Sequence, residues 1–237
     1  MTGERRQRIV DRLVGPGAPD LGSKRLCEVC VEVVGVCGAG IMLMSGEIPR
    51  GSMCSSLNVS ALIEELQFGL GEGPCVDAYH RDVPVLEPDL ASPLRPRWMA
   101  FSGPALQAGV RAVFGFPLQV GAVRLGALNL YNNRAGSLTS DQHADAVVMA
   151  DVAAQAILVL QADAPPGRLS VALETGADFR YDVHQAAGMV AVQLGVSGAQ
   201  ALIRLRAYAF AVGRTLSDVA NDVTNRTVRL SADGEGR

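Results

Sequence analysis

The sequence is poor in aromatic residues and has neither a long apolar run nor a strong excess of one charge. Phe, Trp and Tyr make up 5% of its 237 residues, so we expect a core of aliphatic side chains. No stretch of about 18 uncharged apolar residues is present, which argues against a membrane span. The charged N-terminus MTGERRQRIVDRLV lacks the apolar run and cleavage site of a secretory signal. These absences predict a cytoplasmic protein without a membrane partner.

Charge alone does not indicate a nucleic-acid partner. The formal net charge is −3, and residues 168–237 carry 8 basic and 7 acidic side chains, against 13 and 17 in residues 1–167. A C-terminal part that is only mildly basic lacks the strong positive field typical of nucleic-acid binding. Evidence for such a partner must therefore come from residue patterns.

The sequence also lacks a complete metal site or catalytic set. Five cysteines are present, and Cys27 and Cys30 form a CxxC within KRLCEVCVEVVGVCG, a pattern typical of a helix. No second CxxC or His pair follows at ligand spacing, so we expect buried, reduced thiols rather than a zinc site. No Ser-His-Asp set or phosphate-binding glycine loop is evident either. The sequence therefore predicts no enzyme, no metal and no cofactor.

A proline-containing break divides the chain. The segment Asp163-Ala164-Pro165-Pro166-Gly167 follows a long amphipathic run, and a helix cannot continue through it. Strand and helix patterns mix before this break, whereas almost everything after it has a helical pattern. We therefore predict a domain at 1–162, a linker or helix break at 163–167, a second domain at 168–230 and a flexible tail at 231–237.

The first part has the pattern of an α+β domain. Thr139-Ser140-Asp141-Gln142 has the spacing of a capping box, which begins the last helix of this part. The element order predicts a mostly antiparallel sheet flanked by helices, an arrangement typical of sensor modules. Helices are expected at 4–14, 23–35, 61–66, 74–80, 97–108 and 141–160, and strands at 39–45, 51–57, 83–86, 111–119 and 123–131.

Two phrases in this part resemble GAF domains of the actinobacterial type. They are GLGEGPCVDAYHRDVPVLEPDL and, further along, VFGFPLQVGAVRLGALNLYNN followed by a helix. The resemblance covers roughly residues 5–160 and implies a six-stranded antiparallel sheet flanked by helices, often with a small-molecule pocket on one face. The residues expected to line such a pocket, for an unknown ligand, are Met42, Met44, Cys75, Trp98, Phe114 and Phe116.

The second part has three apolar stripes at helical spacing. Residues 168–194 have the pattern of one long helix, which Gly195 can end because glycine tolerates a left-handed backbone. Ser197-Gly198-Ala199-Gln200 has capping-box spacing and is expected to begin a second helix. Thr215 is expected to begin a third helix, so the pattern predicts an all-α bundle of three helices.

These helices carry residues that resemble an ANTAR output domain. The pattern runs from Arg180-x-x-Val183-x-Gln185-Ala186-x-Gly188 through Leu205-Arg206-x-x-Ala209 to Leu216-x-Asp218-Val219-Ala220 without an insertion. The resemblance implies binding of RNA stem-loops in leader transcripts, in tandem, and prevention of transcription termination. A GAF domain followed by an ANTAR domain is a familiar bacterial arrangement, so the resemblance predicts a signal-responsive antiterminator.

Eight residues are candidates for RNA contact. Small side chains let an RNA loop approach a helix, arginine can pair with phosphates or stack on bases, and glutamine offers a donor and an acceptor to a base edge. Arg206 follows the core position Leu205, so its side chain is expected to leave the bundle at the edge of the apolar stripe and to be exposed. The full set is Arg180, Gln185, Ala187, Gly188, Arg204, Arg206, Tyr208 and Arg214.

Two other functions stay open from the sequence. A GAF-fold methionine sulfoxide reductase could use Cys54 and Cys75, although no activating base is evident near either cysteine. The second and third helices could instead form a DNA-binding helix-turn-helix. In that arrangement Asp218 and Asp222 would face phosphates unfavourably.

We also expect a homodimer held by helices. The predicted helices at 4–14 and 141–160 carry more apolar positions than one small sheet can cover. Packing against a partner helix would bury the excess. The positions concerned are Ile9, Leu13, Val147, Val148, Ala154, Ile157 and Leu158.

Overall fold

An antiparallel sheet with helices on both faces forms the N-terminal part of the chain. The computed structural model describes residues 2–16, 21–46, 48–56, 58–92, 97–162, 164–165, 170–174 and 177–231. The predicted linker and tail fall largely outside these residues, so the domain boundaries stay a prediction. The elements of this N-terminal domain are α1 (Thr2–Val14), α2 (Ser23–Val34), β1 (Gly38–Ser45), β2 (Ile48–Ser55), α3 (Asn58–Leu70), α4 (Pro74–Arg81), β3 (Val85–Glu87), α5 (Met99–Gln107), β4 (Ala112–Val120), β5 (Val123–Asn132) and α6 (Ser140–Gln161).

The sheet has five strands within the described residues, not the six that the GAF resemblance implies. Its order is β2-β1-β5-β4-β3, and every neighbouring pair is antiparallel. β5 occupies the centre, and β1 beside it is buried at every residue except Ser45. Helix α3 is longer than the helix expected at 61–66, because it extends from Asn58 to Leu70.

Alternation along the strands divides the core into two layers, since successive side chains point to opposite faces of a sheet. Phe114 and Phe116 belong to the layer formed with α1, α2 and α6. Val113, between them in sequence, belongs to the layer beneath α3, α4 and α5. The aliphatic core expected from the composition is therefore supplemented by phenylalanines at the centre of the sheet.

Helix α6 is held in the first of these layers. The predicted capping box is confirmed: Thr139 Oγ1 accepts from the Gln142 backbone N–H, and Gln142 Oε1 accepts from the Thr139 N–H. By length and composition α6 could cross a membrane. However, Ala146, Met149 and Ala153 are fully buried in the core shared with the sheet. The helix therefore has the burial of a core helix.

Four helices follow in the part of the chain that the structure describes: α7 (Val171–Glu174), α8 (Tyr181–Leu194), α9 (Gly198–Ala211) and α10 (Leu216–Thr224). The expectation of one long helix over 168–194 is wrong, because α8 begins only at Tyr181. The residue before it, Arg180, has a left-handed backbone (φ 41°), which ends any helix arriving from the N-terminal side. Just upstream, Asp178 pairs with Ser52 of β2 through two backbone hydrogen bonds of 3.1 and 2.8 Å.

Helices α8, α9 and α10 pack on one another, as their apolar stripes predict. Ser197 forms the expected capping box with Gln200, and Thr215 Oγ1 accepts from the Asp218 N–H. Their shared core also includes four side chains of the N-terminal domain, two from β1, one from α3 and one from α4. The core of the bundle is therefore completed by side chains of the N-terminal domain, namely Met42, Met44, Phe68 and Tyr79.

The apolar excess on which the dimer expectation rests is mostly covered within one chain. Helix α1 packs against α6 and α2, and Ile9 and Leu13 are buried there. Of the seven positions, only Val147 and Leu158 are exposed. Homodimerisation stays a prediction, with less apolar surface in its favour. The covered positions are Ile9, Leu13, Val148, Ala154 and Ile157.

A disulfide corrects the expectation of reduced thiols. Cys27 of α2 is bonded to Cys54 of β2, and both residues are buried. The sequence did not reveal this pair because its members are 27 residues apart and are brought together only by packing of α2 on the sheet. The remaining cysteines, Cys30, Cys37 and Cys75, are free.

The disulfide predicts a definite thiol pattern. We expect peptide mapping without reductant to recover Cys27 and Cys54 as one linked pair, and the other three cysteines as alkylated thiols. Alkylation should precede cell lysis, so that oxidation during purification is excluded. A reduced and realkylated sample serves as the control. Recovery of Cys27 and Cys54 as separately alkylated peptides would contradict the pairing.

Candidate functional site

The six residues expected to line a ligand pocket do not lie together. Phe114 and Phe116 pack towards α6, and Cys75 and Trp98 lie in the opposite layer. The remaining two, on β1, belong to the core shared with the C-terminal helices. The prediction of one pocket from these side chains is therefore wrong, because they belong to three separate cores. Strand alternation sends those on β1 and β4 to different faces, and Cys75 and Trp98 lie outside the strands. The two on β1 are Met42 and Met44.

A cluster of buried polar side chains lies between α3, α4 and the sheet. Asn129 Nδ2 donates to Glu64 Oε1 at 3.0 Å, and the Cys75 backbone N–H donates to Gln67 Oε1 at 2.8 Å. The space is so tight that a Cβ on Gly40 would come within 2.4 Å of Glu64 Oε1. Three polar atoms of the cluster have no partner among the described residues: Glu64 Oε2, Gln67 Nε2 and Asn129 Oδ1.

Desolvation shifts the pKa of both titratable groups of this cluster towards the neutral form. Burial raises the pKa of Glu64 to about 8, and the hydrogen bond from Asn129 offsets only part of that rise. Burial also raises the pKa of the Cys75 thiol, and the nearby Glu64 charge raises it further. A thiol with a raised pKa is a poor nucleophile. Within the described residues, no group of three or more His, Cys, Asp or Glu could hold a metal ion.

Arg180 lies at the junction between the two parts of the chain. Its Nη1 donates to Ser217 Oγ at 2.9 Å, its Nη2 lies 3.2 Å from Glu65 Oε1 of α3, and its Nε lies 3.0 Å from Asp178 Oδ2. The guanidinium thus joins α3, the segment before α8 and the start of α10. This candidate for RNA contact is occupied by contacts within the chain.

Arg206 is also engaged at the junction, so the expectation that it is exposed is wrong. Its Nε and Nη2 both donate to the Phe68 carbonyl oxygen at the end of α3, at 3.1 and 2.6 Å. The guanidinium packs over Gly71, where the backbone is left-handed (φ 69°) and a Cβ would come within 2.6 Å of Nη1. Burial lowers the pKa of Arg206 to about 10. The sequence could not show this, because Phe68 and Arg206 are 138 residues apart.

A different surface has arginines that are free of ion pairs. We call it the α8–α10 groove: it has a volume of about 860 Å³ and is bordered by Gln185 and Gly188 on one side and Arg226 and Arg229 on the other. Its apolar lining includes Val192, which is 87% exposed, and its described lining contains no carboxylate. Neither arginine forms an ion pair within the described part of the chain. The groove therefore combines positive charge with exposed apolar surface.

The other candidates for RNA contact are dispersed over the bundle. Ala187 is buried and Arg204 and Tyr208 are half-buried, with Tyr208 packed against the bundle core. Arg214 pairs with Asp222 at 2.6 Å. The sequence interpretation missed Arg226 and Arg229, although two arginines directly after the last helical stripe were a visible signal.

Comparison with known proteins identifies the N-terminal domain. Comparison with curated proteins gave no match. Among solved structures, the chain is similar to the GAF domain of a phosphoenolpyruvate-protein phosphotransferase from Coxiella burnetii, with 18% identity over 68% of this chain and 95% of that one and a TM-score of 0.49. The chain is also similar to the GAF domain of the corresponding Acinetobacter protein, with 15% identity over 70% of this chain and 98% of that one and a TM-score of 0.49.

A type II free methionine-R-sulfoxide reductase from Thermoplasma acidophilum is also similar, with 13% identity over 67% of this chain and 95% of that one and a TM-score of 0.41. Since all three TM-scores lie below 0.5, these likenesses carry no argument about activity. The family model of the GAF domain, by contrast, matches residues 23–158, which is more than half of the chain. The chain therefore belongs to the GAF domain family.

Proposed function

We propose that this GAF protein is a transcription antiterminator whose C-terminal helices bind RNA stem-loops in nascent leader transcripts. The GAF domain, a sensor fold, supplies the response to a signal. We further propose that the protein acts in the cytoplasm as a homodimer. Two RNA sites in one assembly suit stem-loops in tandem, because the second binding event becomes intramolecular.

The residue pattern of α8, α9 and α10 supports the RNA-binding part of this proposal. The resemblance to ANTAR domains spans all three helices, and the capping residues expected from the sequence, Ser197 and Thr215, do precede α9 and α10. ANTAR domains bind RNA stem-loops. The resemblance and the local structure therefore favour the same interpretation of these helices.

The observation that carries the proposal is the α8–α10 groove. RNA loops are recognised through unstacked bases, which need apolar or stacking surface, and through phosphates, which need positive charge. The groove offers both, through Val192 and through Arg226 and Arg229. Gln185 can donate to and accept from a base edge, and Gly188 lets the loop approach closely.

We propose no catalytic role for the protein. A GAF-fold methionine sulfoxide reductase needs a reactive cysteine, and the two cysteines that the sequence offered for it are poorly suited. Cys54 is bonded to Cys27, and the Cys75 thiol is buried with a raised pKa. These contacts favour a binding function over thiol chemistry.

The groove predicts which arginines set RNA affinity. The probe is the RNA that crosslinks to the full-length protein in its native cells, transcribed afterwards as a two-hairpin fragment. Arg226→Ala and Arg229→Ala should each weaken its binding by about tenfold or more, since one RNA contact contributes about 1–3 kcal/mol. Fluorescence anisotropy at several salt concentrations measures both the affinity and the number of phosphate contacts.

Arg134→Ala provides the control, because Arg134 is an exposed arginine of the GAF domain far from α8 and α10 in sequence. It should leave RNA affinity unchanged. Duplex DNA of the same sequence tests the DNA-binding alternative. Equal affinity for hairpin RNA and duplex DNA would replace the proposal by that alternative, and unchanged affinity in both groove variants would remove the groove from the site.

A further inference from the structure

The sheet layer beneath α3, α4 and α5 is filled with packed side chains. Ile63, Cys75, Trp98 and Phe101 are all buried there and share one apolar core with the sheet. A cavity of about 580 Å³ lies elsewhere, where the GAF domain meets the C-terminal helices. We call it the junction cavity. Its volume is within the range of small-molecule sites, which often occur where two domains meet.

Both domains contribute the apolar lining of the junction cavity. Leu43, Leu125 and Ile157 line it from the GAF domain, and Leu173 and Phe179 line it from the C-terminal part. All but Leu125 are buried in the first core layer. A molecule in this cavity therefore contacts both parts of the chain at once.

Two opposite charges border this apolar surface. Arg50 of β2 and Glu174 of α7 are both exposed lining residues, and neither forms an ion pair with a described residue. Among the described residues, the Arg50 guanidinium makes one long hydrogen bond, 3.4 Å from Nη2 to Ser45 Oγ. Each charge is therefore available to a ligand group of the opposite sign.

The wall next to Arg50 is held in place across the junction. His184 Nε2 lies 3.0 Å from the Arg50 carbonyl oxygen, and the His184 ring meets the edge of the Phe68 ring, with 6.1 Å between their centres. Tyr181, one turn earlier on α8, also lines the cavity and is 67% exposed. His184 and Tyr181 therefore place polar groups beside the junction cavity, and neither neutralises the charge of Arg50 or Glu174.

We propose that the junction cavity binds a small zwitterion with an apolar body, of about dipeptide size. Its carboxylate pairs with Arg50, whose planar guanidinium matches a carboxylate, and its ammonium group pairs with Glu174. Its apolar side chains lie on the surface formed by Leu43, Leu125 and Phe179. Because the walls come from both domains, binding at this site stabilises the contact between the sensor domain and the C-terminal helices.

Calorimetric titration of the full-length protein with L-leucyl-L-phenylalanine tests this proposal. We expect saturable binding of this dipeptide, and none of L-seryl-L-serine, which lacks the apolar body. Arg50→Gln and Glu174→Gln should each weaken binding by about tenfold, the size expected for a charge-assisted hydrogen bond. Arg134→Gln, an exposed arginine in another part of the GAF domain, should leave it unchanged.

Blocked dipeptides test the proposed ion pairs with Arg50 and Glu174 one at a time. The C-terminal amide lacks the carboxylate, so its weaker binding should be insensitive to Arg50→Gln. The N-acetyl dipeptide lacks the ammonium group, so its binding should be insensitive to Glu174→Gln. Absence of binding at millimolar dipeptide, equal binding of the doubly blocked form, or full affinity in both variants would each overturn the proposal. None of these results depends on whether the protein binds RNA.

Discussion

Replacing Arg206 by alanine is expected to lower the free energy of unfolding by about 2–4 kcal/mol, because hydrogen bonds from a charged, half-buried donor are lost. The guanidinium donates twice to the Phe68 carbonyl oxygen and lies with its Cζ 5.9 Å from the centre of the Phe68 ring. Alanine would leave that carbonyl without these donors and open a gap over Gly71. Denaturant unfolding of the full-length protein measures the loss.

Two further variants show whether the loss comes from this contact. Arg206→Lys keeps the charge but cannot donate from a planar fork, so it should recover only part of the stability. Arg229→Ala removes an exposed arginine of the same bundle and should change stability by less than about 0.5 kcal/mol. Hydrogen exchange at the end of α3 should accelerate only in the Arg206 variants. An Arg206→Ala protein as stable as the wild type would show that the contact does not hold the junction.

The position of Arg206 also bears on the RNA contact that the sequence predicts for it. Its Nε and Nη2 are directed at the Phe68 carbonyl oxygen, and Nη1 lies over Gly71. A bidentate contact of Nε and Nη2 with a phosphate therefore requires the end of α3 to release the side chain. Arg226 and Arg229 form no ion pair with a described residue, so the proposed RNA binding should depend more on them than on Arg206.

Features that depend on a few neighbouring residues could be predicted from the sequence. The capping boxes at Thr139 and Ser197 are formed by side chains three residues apart, and both are present as expected. The antiparallel hairpin of β4 and β5 also follows from local patterns, because two apolar segments are joined by Gly121 and Ala122 and pair along their length, with one register shift between Leu118 and Gln119. In these places local preference and tertiary structure agree.

Features that depend on distant packing could not be predicted in this way. The start of α8 is set by the pairing of Asp178 with Ser52, 126 positions earlier in the chain, and no helical periodicity reports such a contact. The chemical type of the candidate ligand residues can be read from the sequence, but the face that each strand residue occupies depends on strand register. The burial of Glu64 was missed for the same reason: a carboxylate within an amphipathic helix has the sequence pattern of an exposed residue.

Glu64→Gln is expected to remove a large pH dependence of stability. The native structure raises the pKa of Glu64 from its ordinary value of 4.5 to about 8, because the carboxyl group is desolvated. The native state therefore keeps a proton that the unfolded chain releases between these two pH values. The stability that this proton contributes is fully present below pH 4.5, the pKa of the unfolded chain. It falls by about 1.4 kcal/mol per pH unit as the pH rises from there, and is lost once the pH passes the folded pKa of about 8.

Glutamine removes this loss because it is neutral at every pH. Its Oε1 can still accept from Asn129 Nδ2, and its Nε2 brings a donor to a site where Asn129 Oδ1 has no partner among the described residues. We therefore expect the variant to exceed the wild type in stability by several kcal/mol near pH 8 and to differ little from it at acidic pH. Denaturant unfolding across this pH range measures the difference. Glu28→Gln, a change on a half-exposed face of α2, controls for the loss of one negative charge. If the curves of wild type and Glu64→Gln run parallel with pH, Glu64 is ionised in the native protein and the cluster must hold its charge by other contacts.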